Sequence, residues 1–146
     1  MTTKHVKGSK AWHISLWITQ ILLAGMFLMV GFMKTLTPLA ELSQIIPLAA
    51  EMPVLIRFIG VSELAGGLGL LLPAALRIRP QLTVLAAAAL ALVMLLAIIF
   101  HIARGETSAI GTNIVLGVVA AFIAWGRVHK APIELRPVQA GSVART

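Results

Sequence analysis

The chain has 146 residues, of which 59% are hydrophobic and only 12% charged, with a mean hydropathy of +0.97. So little polar surface cannot cover a water-soluble globule, which excludes a soluble domain and indicates an integral membrane protein. The net charge of +7 does not indicate nucleic acid, because Tyr is absent and aromatics make up 5%; the absence of Cys excludes disulfides, iron–sulfur clusters, thiol catalysis and haem attachment through Cys-x-x-Cys-His.

Residues 1–11 form a polar arm carrying Lys4, Lys7 and Lys10. The apolar run over residues 14–33 is too long for the core of a signal peptide, and no clear cleavage site follows it. It therefore reads as an uncleaved first transmembrane helix, with Trp12 and Trp17 near the headgroups. Gln20, Ala24, Phe27, Gly31 and Lys34 recur at steps of three and four and make one inward stripe. The chain then turns amphipathic. Thr37 as N-cap, Pro38 in the first turn and Glu41 start a short helix that Pro47 and Pro53 end. Leu39, Leu42, Ile45 and Ile46 make this helix one-sided, so it is expected to lie along the interface, either as a lid or as a connector.

The second span is expected over residues 55–72, and it carries Arg57 and Glu63 in a run otherwise suited to lipid. A carboxylate at that depth costs several kcal/mol unless something pairs with it or protonates it. Around the helix, Arg57 and Glu63 lie about 60° to either side of Gly60, with Gly67 near the same line. Gly60, Gly66, Gly67 and Gly69 thin this helix, and Gly31 and Gly117 do the same elsewhere, so neighbouring backbones can come close. Pro73 opens a short link with Arg77, Arg79 and Pro80. The third span covers residues 82–100 and ends at His101; the fourth covers residues 109–125, with Asn113, Gly117, Ala120 and Ala124 on one stripe. Residues 127–146 lack apolar periodicity and are expected to form a flexible tail.

Four spans joined by short loops make neighbours antiparallel, which predicts an all-α, up-and-down four-helix membrane bundle over residues 12–126, with a short interfacial helix in the first outer loop. Lys4, Lys7, Lys10, Arg77, Arg79, Arg127, Lys130, Arg136 and Arg145 fall on one side, and Lys34, Arg57 and Arg104 on the other. The basic side belongs in the cytoplasm, so both termini are expected there. Lys34, Arg57, Glu63, His101 and Asn113 then gather at the opposite end, as a polar cluster with Glu63 deepest.

Each of these residues has two readings. Glu63 is a ligand-binding or proton-handling carboxylate, or one half of a structural ion pair with Lys34 or Arg57. Lys34 and Arg57 contact a ligand or reach for the headgroups. His101 shuttles protons or caps its helix, and no second histidine on that side favours a metal, so none is expected. Asn113 contacts a ligand or bonds helix to helix. No Ser-His-Asp set, Walker loop or His-Glu-x-x-His motif supports hydrolysis.

Three features together resemble the DoxX and DoxX-like family of small four-helix membrane proteins: Gly31-Phe-Met-Lys34-Thr-Leu-Thr-Pro38 closing the first span, Gly60-Val-Ser-Glu63-Leu-Ala-Gly66-Gly67 in the second, and His101 ending the third. The likeness covers residues 14–125. It implies a bacterial cytoplasmic (inner) membrane protein, acting as a non-catalytic subunit or accessory protein of a redox-linked complex. Such a protein would place its polar cluster against a quinone, a lipid headgroup or a partner helix. The founding member is a subunit of a thiosulfate:quinone oxidoreductase, while animal relatives assist receptor assembly, so the resemblance leaves a membrane-protein assembly factor open as the alternative. Expected partners are the bilayer and either redox-complex subunits or client membrane proteins. A homo-oligomer stays open, and nucleic acid is not expected.

Overall fold

The computed structural model describes residues 10–135; the expectations for Lys4, Lys7, Arg136 and Arg145 lie outside the described residues. The described elements are all helical: α1 (Lys10–Leu36), α2 (Leu39–Ile45), α3 (Leu48–Glu51), α4 (Pro53–Leu76), α5 (Gln81–Ala103) and α6 (Ile110–His129). Four of them, α1, α4, α5 and α6, are long and apolar enough to cross a membrane. They pack in antiparallel pairs, α1 on α4 and α5 on α6, with α4 against α5 and α1 against α6 closing the bundle. One end, here the lysine end, holds the C-termini of α1 and α5 and the N-termini of α4 and α6. The other is the arginine end.

Helix α4 does not stop at Pro73 but passes through it to Leu76. A proline inside a membrane helix forfeits one backbone bond, which neighbouring groups can make good, so it punctuates less sharply than in water. The stop comes instead from Arg77 and Arg79, both left-handed at φ 55° and 53°, ahead of Pro80. In the first loop the expected single helix is two. Pro38, not Thr37, sits at the N-cap of α2, and Pro47 holds the N-cap of α3. Pro53 opens α4 at its first turn, where its missing N–H has no intrahelical acceptor to lose.

Leu23, Phe27, Leu70, Leu90, Met94 and Ile123 fill the bundle core, and a second cluster of Leu42, Ala49 and Ile56, with Met33 beside it, seats α2 and α3 over the lysine end. Outside, large apolar side chains such as Leu22, Met29, Phe58, Leu85 and Val118 are exposed, the surface a bilayer requires. Lipid removes most of the hydrophobic drive between helices, so close packing has to supply it. Small residues provide that packing. A methyl on Gly31 would lie 2.8 Å from the Gly60 carbonyl oxygen, and one on Gly67 would lie 2.8 Å from Leu28 Cγ, so α1 and α4 meet almost backbone to backbone. Gly66 and Gly69 face Leu90 and Ala86 of α5, and Gly117 of α6 faces Met94 of α5.

Candidate functional site

The α1–α4 contact sets the geometry around Glu63. With Gly31 and Gly60 removing the steric barrier, the last turn of α1 passes over the first turns of α4, and Lys34 Nζ donates to Glu63 Oε1 at 2.7 Å. Glu63 is 3% exposed, and only 15% of the Lys34 side chain is exposed. The second carboxylate oxygen, Glu63 Oε2, is buried and has no hydrogen-bond partner among the described residues. A buried carboxylate with half its acceptor capacity unused is costly, so this oxygen would gain from a donor brought to it.

Arg57 does not reach Glu63. Its guanidinium donates from Nη1 to the Lys34 carbonyl and from Nη2 to the Thr37 carbonyl, both at 2.6 Å. The last carbonyls of a helix lack intrahelical donors, so Arg57 caps the C-terminus of α1 from α4 and fixes the backbone that carries Lys34. Thr35 Oγ1 is buried beside Gly60 without a partner.

His101 and Asn113 stand apart from that pair. Helix α5 ends in a Schellman turn: Gly105 is left-handed at φ 72°, its N–H reaches the Ile102 carbonyl at 3.1 Å, and the Glu106 N–H reaches the His101 carbonyl at 2.9 Å. That turn folds Glu106 Oε2 back to within 2.8 Å of His101 Nδ1. Arg104 donates from Nε to Glu106 Oε1 at 2.6 Å and from Nη2 to Glu51 Oε2 at 2.8 Å, tying the α5–α6 turn to α3. The hydrogen bonds from Arg104 and then from His101 hold the Glu106 carboxyl below the usual carboxylate range. Asn113 is half-buried on α6, and its buried Nδ2 has no partner. The five expected residues share one end of the bundle, but only Lys34 and Glu63 pair with each other, with Arg57 as their support.

A second polar group went unforeseen. Arg127, near the end of α6, is 2% exposed; its Nε donates to Gln20 Oε1 at 2.9 Å, and Gln20 Nε2 donates in turn to the Leu70 carbonyl. Gly126 makes this possible, since a methyl there would lie 2.6 Å from Leu16 Cδ2 of α1. In the sequence Arg127 reads as the first residue of a basic tail. Its one signal was Gln20, a deep polar residue in the first span that needed a partner.

Taken together, fold and site define a four-span membrane protein whose inner face buries a lysine–glutamate pair at one end and an arginine–glutamine pair at the other. A model described as the DoxX-like family matches residues 18–123, and the chain belongs to that family. That match covers α4 and α5, most of α1 and α6, and the Lys34–Glu63 pair. No curated protein and no solved structure matches the chain.

Proposed function

We propose that this protein is a non-catalytic membrane subunit or accessory protein of a redox-linked complex, using the Lys34–Glu63 pair to hold a quinone-like head group. The observation that carries this reading is the free, buried Glu63 Oε2 beside an ammonium. The carboxylate oxygen accepts only from a donor such as a quinol hydroxyl, and Lys34 can donate to a quinone carbonyl, so the pair offers contacts to both redox forms. The cap of α2 and α3 over the lysine end supports a head group held away from bulk water. With the positive-inside rule, the lysine end faces away from the cytoplasm.

The test is native mass spectrometry of the detergent-purified protein. Wild type is expected to retain quinone, and Glu63→Gln to retain about tenfold less or below, the loss that goes with a charged hydrogen bond. Lys34 can turn to the headgroups when its partner is neutral, so the variant should still fold. Equal retention by the two proteins, or none by wild type, together with unchanged partner co-purification, would overturn the binding role.

The assembly-factor alternative finds less support. Gly66 and Gly67, the seam a client helix would use, are covered by Leu90 and Leu28 of the bundle itself.

A further inference from the structure

Among the described residues, the arginine end carries an excess of positive charge. Four of the acids, Glu41, Glu51, Glu63 and Glu106, lie at the lysine end, whereas Lys10, Arg77, Arg79, Arg127 and Lys130 share the other end with Glu134 alone. Every described ion pair is at the lysine end.

Arg127 is the sharpest case. Its partners are neutral: the Gln20 side-chain oxygen at 2.9 Å, the Ala131 carbonyl at 3.4 Å and the face of Trp17, 5.2 Å from the guanidinium carbon. Its Nη2 is buried with no hydrogen-bond partner among the described residues. A buried guanidinium without a carboxylate calls for an anion.

A cleft of about 470 Å³ opens at the same end, lined by Lys10, His13, Arg77, Trp17, Ile133 and Glu134 among others. Trp17 joins the two features: its ring lies against the Arg127 guanidinium, and it also lines the cleft. Lys10 is the first residue of α1 and Arg77 the C-cap of α4, so both stand where a span meets the headgroups. Three basic or protonatable side chains around an apolar wall match a phosphate carried on an acyl chain.

We propose that this cleft holds the phosphate of an anionic phospholipid, with Lys10 and Arg77 gripping it and Arg127 supplying positive charge from behind Trp17. Free phosphate shares the headgroup's chemistry but gains nothing from Trp17, Ile133 or the neighbouring spans. Glu134 on the rim disfavours a second anion.

The experiment uses the full chain, delipidated in neutral detergent and given phosphatidylglycerol, phosphatidylcholine or sodium phosphate in separate arms. Adducts are read by native mass spectrometry and stabilisation by thermal unfolding. Phosphatidylglycerol is expected to be retained and stabilising, and phosphatidylcholine much less so. Lys10→Gln with Arg77→Gln should cut retention about 25-fold, about fivefold per charge. Arg79→Gln, at a position outside the cleft lining, should retain lipid like wild type. The unfolding midpoint without lipid should be the same in all three proteins, since the altered side chains are exposed. Arg127→Gln removes the buried charge, and where it folds it should retain less lipid with the rim intact. Equal retention of the two lipids, or undiminished retention by the double variant, overturns the proposal. Stabilisation by sodium phosphate equal to that by phosphatidylglycerol overturns the lipid assignment and leaves a soluble anion site.

Discussion

Lys34 and Glu63 depend on each other more than either depends on the rest of the bundle. Removing the ammonium strands a carboxylate that is 3% exposed, while removing both groups leaves a cavity that apolar side chains can fill. Lys34→Met is therefore expected to destabilise the protein by about 3–5 kcal/mol, and Lys34→Met with Glu63→Leu to recover most of that loss. Reversible unfolding in detergent measures both. A double variant that folds like wild type but retains no quinone would separate the binding role of the pair from any structural one. The sequence made Glu63 conspicuous because an acid in an apolar run is rare, and it brought Lys34 to the same level through span order alone. It could not assign Arg57 to the carbonyls of Lys34 and Thr37, because a capping bond depends on where α1 frays, which no side-chain pattern records. Nor could it hand His101 to Glu106, a contact made by the left-handed turn at Gly105.

The helices themselves were legible because lipid imposes length and apolarity, and the four long apolar helices overlap the four expected runs, each longer than its run. Their ends were not legible, since Pro73 is absorbed and α4 stops at two left-handed arginines. The glycines were legible as a group but not by partner. Gly31, Gly60 and Gly67 face the α1–α4 seam, and Gly66 and Gly69 face α5. Which glycine is indispensable follows from what surrounds it. At Gly31 an added methyl meets backbone, the Gly60 oxygen at 2.8 Å and the Leu64 nitrogen at 2.9 Å, and backbone in two packed helices cannot yield cheaply. At Gly25, on the exposed face of the same helix, it meets nothing within 4 Å. Gly31→Ala is expected to destabilise by about 1–3 kcal/mol through overpacking and to loosen the Lys34–Glu63 pair. Gly25→Ala should instead stabilise by up to about 1 kcal/mol from helix propensity. Parallel thermal scans of the two variants decide it, and equal midpoints would mean that the seam relaxes.

The bundle as a whole is asymmetric in charge, and the two buried polar pairs follow that asymmetry. The lysine end pairs Lys34 and Arg104 with acids and closes under α2 and α3, whereas at the arginine end Lys10 and Arg77 line a cleft and no ion pair forms among the described residues. Ends rich in Lys and Arg stay in the cytoplasm during insertion, where anionic headgroups also meet them, so the expected topology and the proposed lipid site would share one cause. The prediction can be read cleanly because the chain has no Cys, and a single introduced thiol is then the only reactive one. Gln44→Cys places it on exposed α2 at the lysine end, and Gln81→Cys at the exposed start of α5 at the arginine end. A membrane-impermeant maleimide applied to intact cells is expected to label the first variant and to reach the second only after permeabilisation. Labelling in the opposite order would invert the protein in the membrane, turn the Lys34–Glu63 pair toward the cytoplasm, and face the basic cleft with the other leaflet.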